Sequence, residues 1–126
     1  MIGRNSSFRL VGRVCGVLAF ATLIFASLLL PPRWEQLRTG HWEVEHFLAY
    51  FAAVPIIYLG WPRLFLVAVV LVPLAALLEV VQCFEPDHSA NFLAALSSVG
   101  GVLTGTLLVA LIIQVRSLAS SKRETS

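Results

Sequence analysis

Apolar residues form four long runs along the chain, and short polar connections separate them. The runs cover residues 14–30, 47–60, 64–81 and 92–113, and the helices predicted from them cover 14–30, 44–60, 64–82 and 91–114. Each is near the length of roughly 20 residues that crosses a hydrocarbon core about 30 Å thick. The second run is the shortest, so its helix must include Glu43, Glu45 and His46 to reach the interface. The pattern predicts a single all-α domain, an integral membrane bundle of four transmembrane helices with a disordered polar tail at 117–126.

Basic residues are concentrated on one side of the predicted bundle. Seven of the nine Lys and Arg residues fall there, namely Arg4, Arg9, Arg13, Arg63, Arg116, Lys122 and Arg123. The positive-inside rule makes this side cytoplasmic, so both termini are predicted to lie in the cytoplasm. The short connection at 61–63 forces the second and third helices into an antiparallel hairpin. The start of the second helix and the end of the third are therefore predicted to lie together at the outer, non-cytoplasmic end of the bundle.

The composition excludes several classes of protein. Of the 126 residues, 58% are hydrophobic and 13% are charged, and the mean hydropathy is +0.85, which is too apolar for a water-soluble enzyme of this size. A net charge of +2 does not indicate nucleic-acid binding. The two cysteines, Cys15 and Cys83, make neither a disulfide framework nor a metal motif. No cofactor is predicted, and the expected surroundings are the lipid bilayer.

Polar residues converge at the predicted outer end of the hairpin. His46 and Tyr50 lie four residues apart and share one side of the second helix. Glu79 and Gln82 lie three residues apart and share one side of the third. His88 follows in the next connection. These five residues are the candidate ligand-binding site.

Glu79 is the most informative of these residues, because a carboxylate inside an apolar helix costs about 2.5–3.5 kcal/mol at the bilayer centre and less near the helix end. It is either the candidate catalytic acid/base and proton carrier, or a structural hydrogen-bonding group. His46 has the same two interpretations. No metal site is predicted, because the candidate ligands lack ligand spacing on any single helix. Those candidates are His41, His46, His88 and Glu79.

Small residues recur at four-residue spacing on the fourth helix, at Ser97, Gly101 and Gly105. Such a stripe lets two membrane helices approach closely. It is predicted to pack against another helix of the same chain, with a second protomer in a homo-oligomer as the alternative.

These motifs occur together in the order of a known family. The chain carries HFLAYF at 46–51, EVVQ at 79–82, and then a helix with Gly101 and Gly105. The order and spacing resemble the VanZ-like family of small bacterial membrane proteins. The family usually has an arginine where this chain has His88. Ala94 and Ser98 stand where the family's aspartate and asparagine are expected.

The resemblance implies a multi-pass protein of the bacterial cytoplasmic membrane, in a family whose name-giving member is associated with resistance to the glycopeptide teicoplanin. Three functions stay open. The first, which we favour, is a non-enzymatic protein whose outer polar cluster binds or modifies an envelope lipid, a cell-wall precursor or a glycopeptide. The second is a membrane enzyme or proton-coupled carrier that uses Glu79. The third is a structural subunit of a membrane complex.

Overall fold

The computed structural model describes residues 2–29, 42–84 and 92–124, and this part of the chain is all-helical. The helices are α1 (Ile2–Leu29), α2 (Trp42–Gly60), α3 (Leu64–Gln82) and α4 (Phe92–Glu124). Within the described ranges, three helices are long and apolar enough to cross a membrane, and α2 is not among them. The first turn of α2 carries Glu43 and Glu45, which lower its hydropathy.

The helix boundaries match the predictions closely for α2 and α3 and poorly for the start of α1 and the end of α4. Helix α1 begins well before residue 14, and α4 continues to Glu124 rather than ending at 114. The prediction of a disordered tail from residue 117 is therefore wrong as far as Glu124. No Gly or Pro occurs between residues 106 and 124, and adding residues to an existing helix is far easier than starting one.

Helix α2 lies at the centre of the bundle. It packs most extensively on α4 and next on α1, whereas α3 packs mainly on α4 and contacts α1 and α2 only slightly. The central helix presents one face to its neighbours, with Tyr50, Ala53, Val54 and Ile57 all buried. Because α2 and α4 both run away from the end where α3 finishes, the most extensive helix pair in the bundle is parallel.

Two glycines of the predicted stripe allow this parallel pair to form. A Cβ atom added to Gly101 would collide with the Phe47 carbonyl oxygen and lie 3.1 Å from the Phe51 nitrogen. A Cβ atom on Gly105 would lie 2.8 Å from the Phe51 carbonyl oxygen. The backbones of α2 and α4 are thus in direct contact, and the glycine face of α4 is covered by a helix of the same chain.

A second close contact joins α1 to α2 at the opposite end of the bundle. A Cβ atom added to Gly12 would lie 2.7 Å from the Leu59 carbonyl oxygen, and one added to Gly60 would lie 2.7 Å from the Gly12 carbonyl oxygen. We call this end, where α1 begins and α2 turns into α3, the arginine end, after Arg9, Arg13 and Arg63. The end where α1 and α3 finish is the glutamate end, after Glu43, Glu45 and Glu79.

The outer surface of the bundle is apolar along most of its length. Large side chains such as Phe65, Val70, Leu77 and Leu107 are about half exposed or more. Solvent-exposed apolar patches of this extent are rare in soluble monomers. Together with the three helices that are able to span a bilayer, this surface is typical of a multi-pass membrane protein.

Candidate functional site

Three of the predicted site residues meet at the glutamate end of the bundle. Tyr50 is 3% exposed, Glu79 8% and Gln82 7%. Tyr50 belongs to the buried face of α2, while Glu79 and Gln82 continue the buried face that α3 forms with Leu71 and Ala75. Because residues at i, i+4, i+8 and i+11 share one side of a helix, Glu79 and Gln82 lie on the same inward face as Leu71 and Ala75.

A fourth residue, Ser27 near the end of α1, completes this cluster. The Gln82 side-chain amide Nε2 donates a hydrogen bond to the Ser27 carbonyl oxygen over 2.8 Å. The Tyr50 and Ser27 side chains share a hydrogen bond, and Tyr50 interacts electrostatically with Glu79. The cluster of Ser27, Tyr50, Glu79 and Gln82 therefore ties together three helices, one of which the sequence analysis did not include.

The sequence analysis did not identify Ser27, because one of its two hydrogen bonds in the cluster is made by its backbone carbonyl oxygen. Any residue at that position would offer a carbonyl oxygen to Gln82, so no side-chain pattern marks it. The only signal in the sequence is a small polar residue in the last turns of an apolar helix, where a hydroxyl commonly bonds to a neighbouring helix.

One polar atom of the cluster is buried without a partner. The Gln82 side-chain oxygen Oε1 is inaccessible to solvent and accepts no hydrogen bond from any residue that the structure describes. Leaving a buried acceptor unpaired costs about 1–3 kcal/mol. The glutamine is thus held in place through its nitrogen, while its oxygen lacks a donor among the described residues.

The end of α3 is closed by Cys83 rather than by a polar cap. Its backbone nitrogen donates to the Glu79 carbonyl oxygen over 3.2 Å, and its thiol approaches the same oxygen at 3.1 Å. Cys83 is exposed and free, as is Cys15. These bonds keep the last turn of α3 helical, so Glu79 and Gln82 stay one turn apart on the same face.

No family model matches the chain, and neither a curated protein nor a solved structure matches it. The resemblance to the VanZ-like family therefore rests on the sequence motifs alone.

The remaining predicted residues differ in their relation to the cluster. His46 is half-buried and lies one turn before Tyr50 on α2. Ser97 is half-buried on α4, and His88 lies outside the described residues. Ala94 and Ser98, where the family's aspartate and asparagine were expected, are 0% and 2% exposed. Ala94 and Ser98 thus lie inside the bundle rather than on its surface.

The described residues offer no group of three His, Cys, Asp or Glu side chains that could hold a metal ion. Of the four ligands considered from the sequence, His46 and Glu79 fall within the described ranges, while His41 and His88 fall outside them. The cluster can therefore form hydrogen bonds through three side chains, the carboxyl group of Glu79, the amide of Gln82 and the phenol of Tyr50.

Proposed function

We propose that this chain is a four-span, VanZ-like protein of the bacterial cytoplasmic membrane, and that its glutamate end faces outward and binds the head of an envelope amphiphile. Candidate ligands are an envelope lipid, a cell-wall precursor or a glycopeptide. The observation that carries this proposal is the buried Oε1 of Gln82 next to Glu79, which has no hydrogen-bond donor among the residues that the structure describes.

The polar groups define the kind of head group that would bind. The amide oxygen of Gln82 accepts hydrogen bonds and does not donate them. A complementary ligand must therefore supply N–H or O–H donors at the membrane surface. An ethanolamine, a sugar or a peptide amine meets this requirement, whereas a choline head group, which has no N–H, does not.

The four-span arrangement is supported by the position of α2. A helix that packs on both α1 and α4 exposes less of its surface to lipid than a peripheral helix does, so it tolerates Glu43, Glu45 and His46 in its first turns better. The charge distribution supports the orientation, since Arg9, Arg13, Arg63 and Arg116 all lie at or beyond the arginine end.

The orientation is tested by cysteine labelling in intact cells. With Cys15 and Cys83 replaced by serine, a single cysteine is placed at Ser89, in the connection after α3, or at Ser120, near the end of α4. A membrane-impermeant maleimide should label Ser89→Cys in intact cells and Ser120→Cys only after permeabilisation. The reverse pattern would place the polar cluster at the cytoplasmic surface and overturn the envelope-facing part of the proposal.

Binding is tested by native mass spectrometry of the full chain from nanodiscs that contain equal amounts of phosphatidylethanolamine and phosphatidylcholine with identical acyl chains. The wild type should retain phosphatidylethanolamine in preference. Gln82→Leu should abolish that preference, and Val81→Leu, at an exposed neighbouring position, should keep it. Equal retention of the two lipids by the wild type would contradict a site that selects hydrogen-bond donors.

The variant Glu79→Gln distinguishes ligand binding from the alternative of an acid/base enzyme or proton-coupled carrier. It keeps a hydrogen-bond acceptor at this position and removes the exchangeable proton. Teicoplanin susceptibility of cells that express the chain provides the measurement. If Glu79→Gln cells keep the wild-type susceptibility, acid/base or proton-transfer chemistry at Glu79 is excluded. The structural-subunit alternative loses its docking surface, because Gly101 and Gly105 already contact α2.

A further inference from the structure

A cavity of about 580 Å³ opens at the arginine end, between α1, α3 and the turn that joins α2 to α3. Arg9 and Arg13 reach it from α1, and Arg63 and Trp61 reach it from the turn. All four of these side chains are exposed. Among the described residues, no acidic side chain lines this cavity, so its polar rim is positively charged.

The deeper walls of the cavity are apolar and lead along the bundle. A second hollow of about 570 Å³ shares Phe20 and Val70 with the first and continues along α3 as far as Val80, between apolar side chains only. From Arg63 to Val80 the groove is about 26 Å long at 1.5 Å per residue. This approaches the thickness of a hydrocarbon core of about 30 Å. We call the two hollows together the α1/α3 groove.

The groove opens at the arginine end because α1 packs closely against α2 there. Gly12 and Gly60 bring the two backbones into contact at this end, and the Trp61 ring lies over Gly16, 2.9 Å from the place that a Cβ atom would occupy. Backbone hydrogen bonds fix the turn, with the Arg63 nitrogen 2.7 Å from the Trp61 carbonyl oxygen. The arginines and the tryptophan are thus presented at the start of a crevice that α1 and α3 leave open.

We propose that the α1/α3 groove binds an anionic phospholipid, with its phosphate among Arg9, Arg13 and Arg63 and an acyl chain along α3 toward Val80. Guanidinium groups pair with phosphate oxygens through two parallel hydrogen bonds. Basic pockets between membrane helices suit anionic head groups, and an indole suits the same interfacial depth. A cationic rim that continues into an apolar channel of membrane length matches an acidic lipid better than a soluble anion, which would leave the channel empty.

The test compares lipids that differ in charge. The full chain is taken from nanodiscs with equal amounts of phosphatidylglycerol and phosphatidylethanolamine with identical acyl chains, and retained lipid is measured by native mass spectrometry. The wild type should retain phosphatidylglycerol in excess. Arg13→Gln and Arg63→Gln should each reduce this retention by about fivefold. Arg116→Gln, which removes a charge near the same end but outside the groove, should not.

A second pair of variants tests the groove without altering any charge. Val70 lines both hollows and Val69 lines neither, although the two side chains are 52% and 48% exposed. Val70→Trp should block the groove and abolish the excess of phosphatidylglycerol, while Val69→Trp should keep it. This pair of variants tests lipid binding in the groove even if removal of an arginine alters folding or topology.

Several results would overturn the proposal. An equal loss for Arg116→Gln and Arg13→Gln would reduce the effect to general surface charge. Displacement of the lipid by millimolar inorganic phosphate would indicate a site for a soluble anion. Lipid-free dimers that Val70→Trp dissociates would show that a second copy of the chain fills the groove. The loss of phosphatidylglycerol caused by Arg13→Gln should be the same in the wild type and in a Gln82→Leu background, so this proposal stands or fails independently of ligand binding at the glutamate end.

Discussion

At the glutamate end, polar side chains lie between the helices, whereas at the arginine end charged side chains lie around the outside of a groove. Tyr50, Glu79 and Gln82 are all less than 10% exposed, but Arg13 and Arg63 are exposed. Both ends belong to one bundle whose surface is otherwise apolar. The difference follows from how closely α1 and α3 approach each other at each end.

Near the glutamate end, the bond from Gln82 to Ser27 joins α3 directly to α1. Burial of these polar groups is tolerated because most of them find partners there. At the arginine end, the contact between Gly12 and Gly60 holds α1 against α2. A cavity lies between α1 and α3 at this end. Hydrogen bonds thus close the bundle at one end, and glycine contacts open a groove at the other. The following variants test this contrast.

The largest effect is expected where α2 and α4 touch. Gly101→Ala places a Cβ atom against the backbone at Phe47 and Phe51, and neither backbone can move without displacing a helix. We expect a loss of about 2–3 kcal/mol in the free energy of unfolding, measured by SDS titration in mixed micelles. Gly100→Ala is the control, since its Cβ atom would meet only the Phe47 ring at 3.8 Å. A loss of the same size in both variants would contradict a direct backbone contact at Gly101.

A smaller effect is expected at the α1–α2 contact. Gly12→Ala meets the Leu59 carbonyl oxygen at 2.7 Å, whereas Gly16→Ala meets the end of the Trp61 ring at 2.9 Å. A ring can rotate away more easily than a backbone can. We expect Gly12→Ala to cost about 1–2 kcal/mol and Gly16→Ala less than about 1 kcal/mol. The reverse order in the same titration would show that Trp61, rather than the backbone contact, sets the position of α1.

Removal of hydrogen bonds at the glutamate end should cost still less. Gln82→Leu loses the bond to Ser27 but also removes the buried Oε1, which has no donor among the described residues. Tyr50→Phe loses its bond to Ser27 and its electrostatic interaction with Glu79. Hydrogen bonds between membrane helices contribute about 0.6 kcal/mol on average, so both variants should stay within about 1 kcal/mol of wild type. A loss above about 2 kcal/mol for Gln82→Leu would favour a structural role over ligand binding.

The smallest effect is expected at the end of α4 that extends past the arginine end. Every described side chain from Ala110 to Arg123 is exposed. Leu118→Ser should therefore change the free energy of unfolding by no more than about 0.5 kcal/mol. A larger loss would mean that this segment packs on something in the assembled protein, and its dependence on protein concentration would distinguish self-association from contact with lipid.

The sequence by itself determined the helices and one part of the site. Long apolar runs form helices in a bilayer because every backbone group must be paired locally, so the predicted and observed bounds of α3 agree at 64–82. The hairpin at 61–63 then fixes which helix ends meet, and Tyr50, Glu79 and Gln82 lie at the same end as predicted. These conclusions depend on helix length and chain direction alone.

Only the tertiary structure decided which helix faces pair. Gly101 and Gly105 were recognisable as a packing stripe, but nothing in their spacing indicates a parallel contact with α2. Gly12 and Gly16 have the same spacing and were not singled out, and the groove lined by Arg9, Arg13 and Arg63 depends on them. The physical reason is that these helices are apolar on nearly every side, so hydrophobicity does not distinguish inner from outer faces. Close fit of backbones and a few interhelical hydrogen bonds select the partners instead, and both depend on residues far apart in the chain.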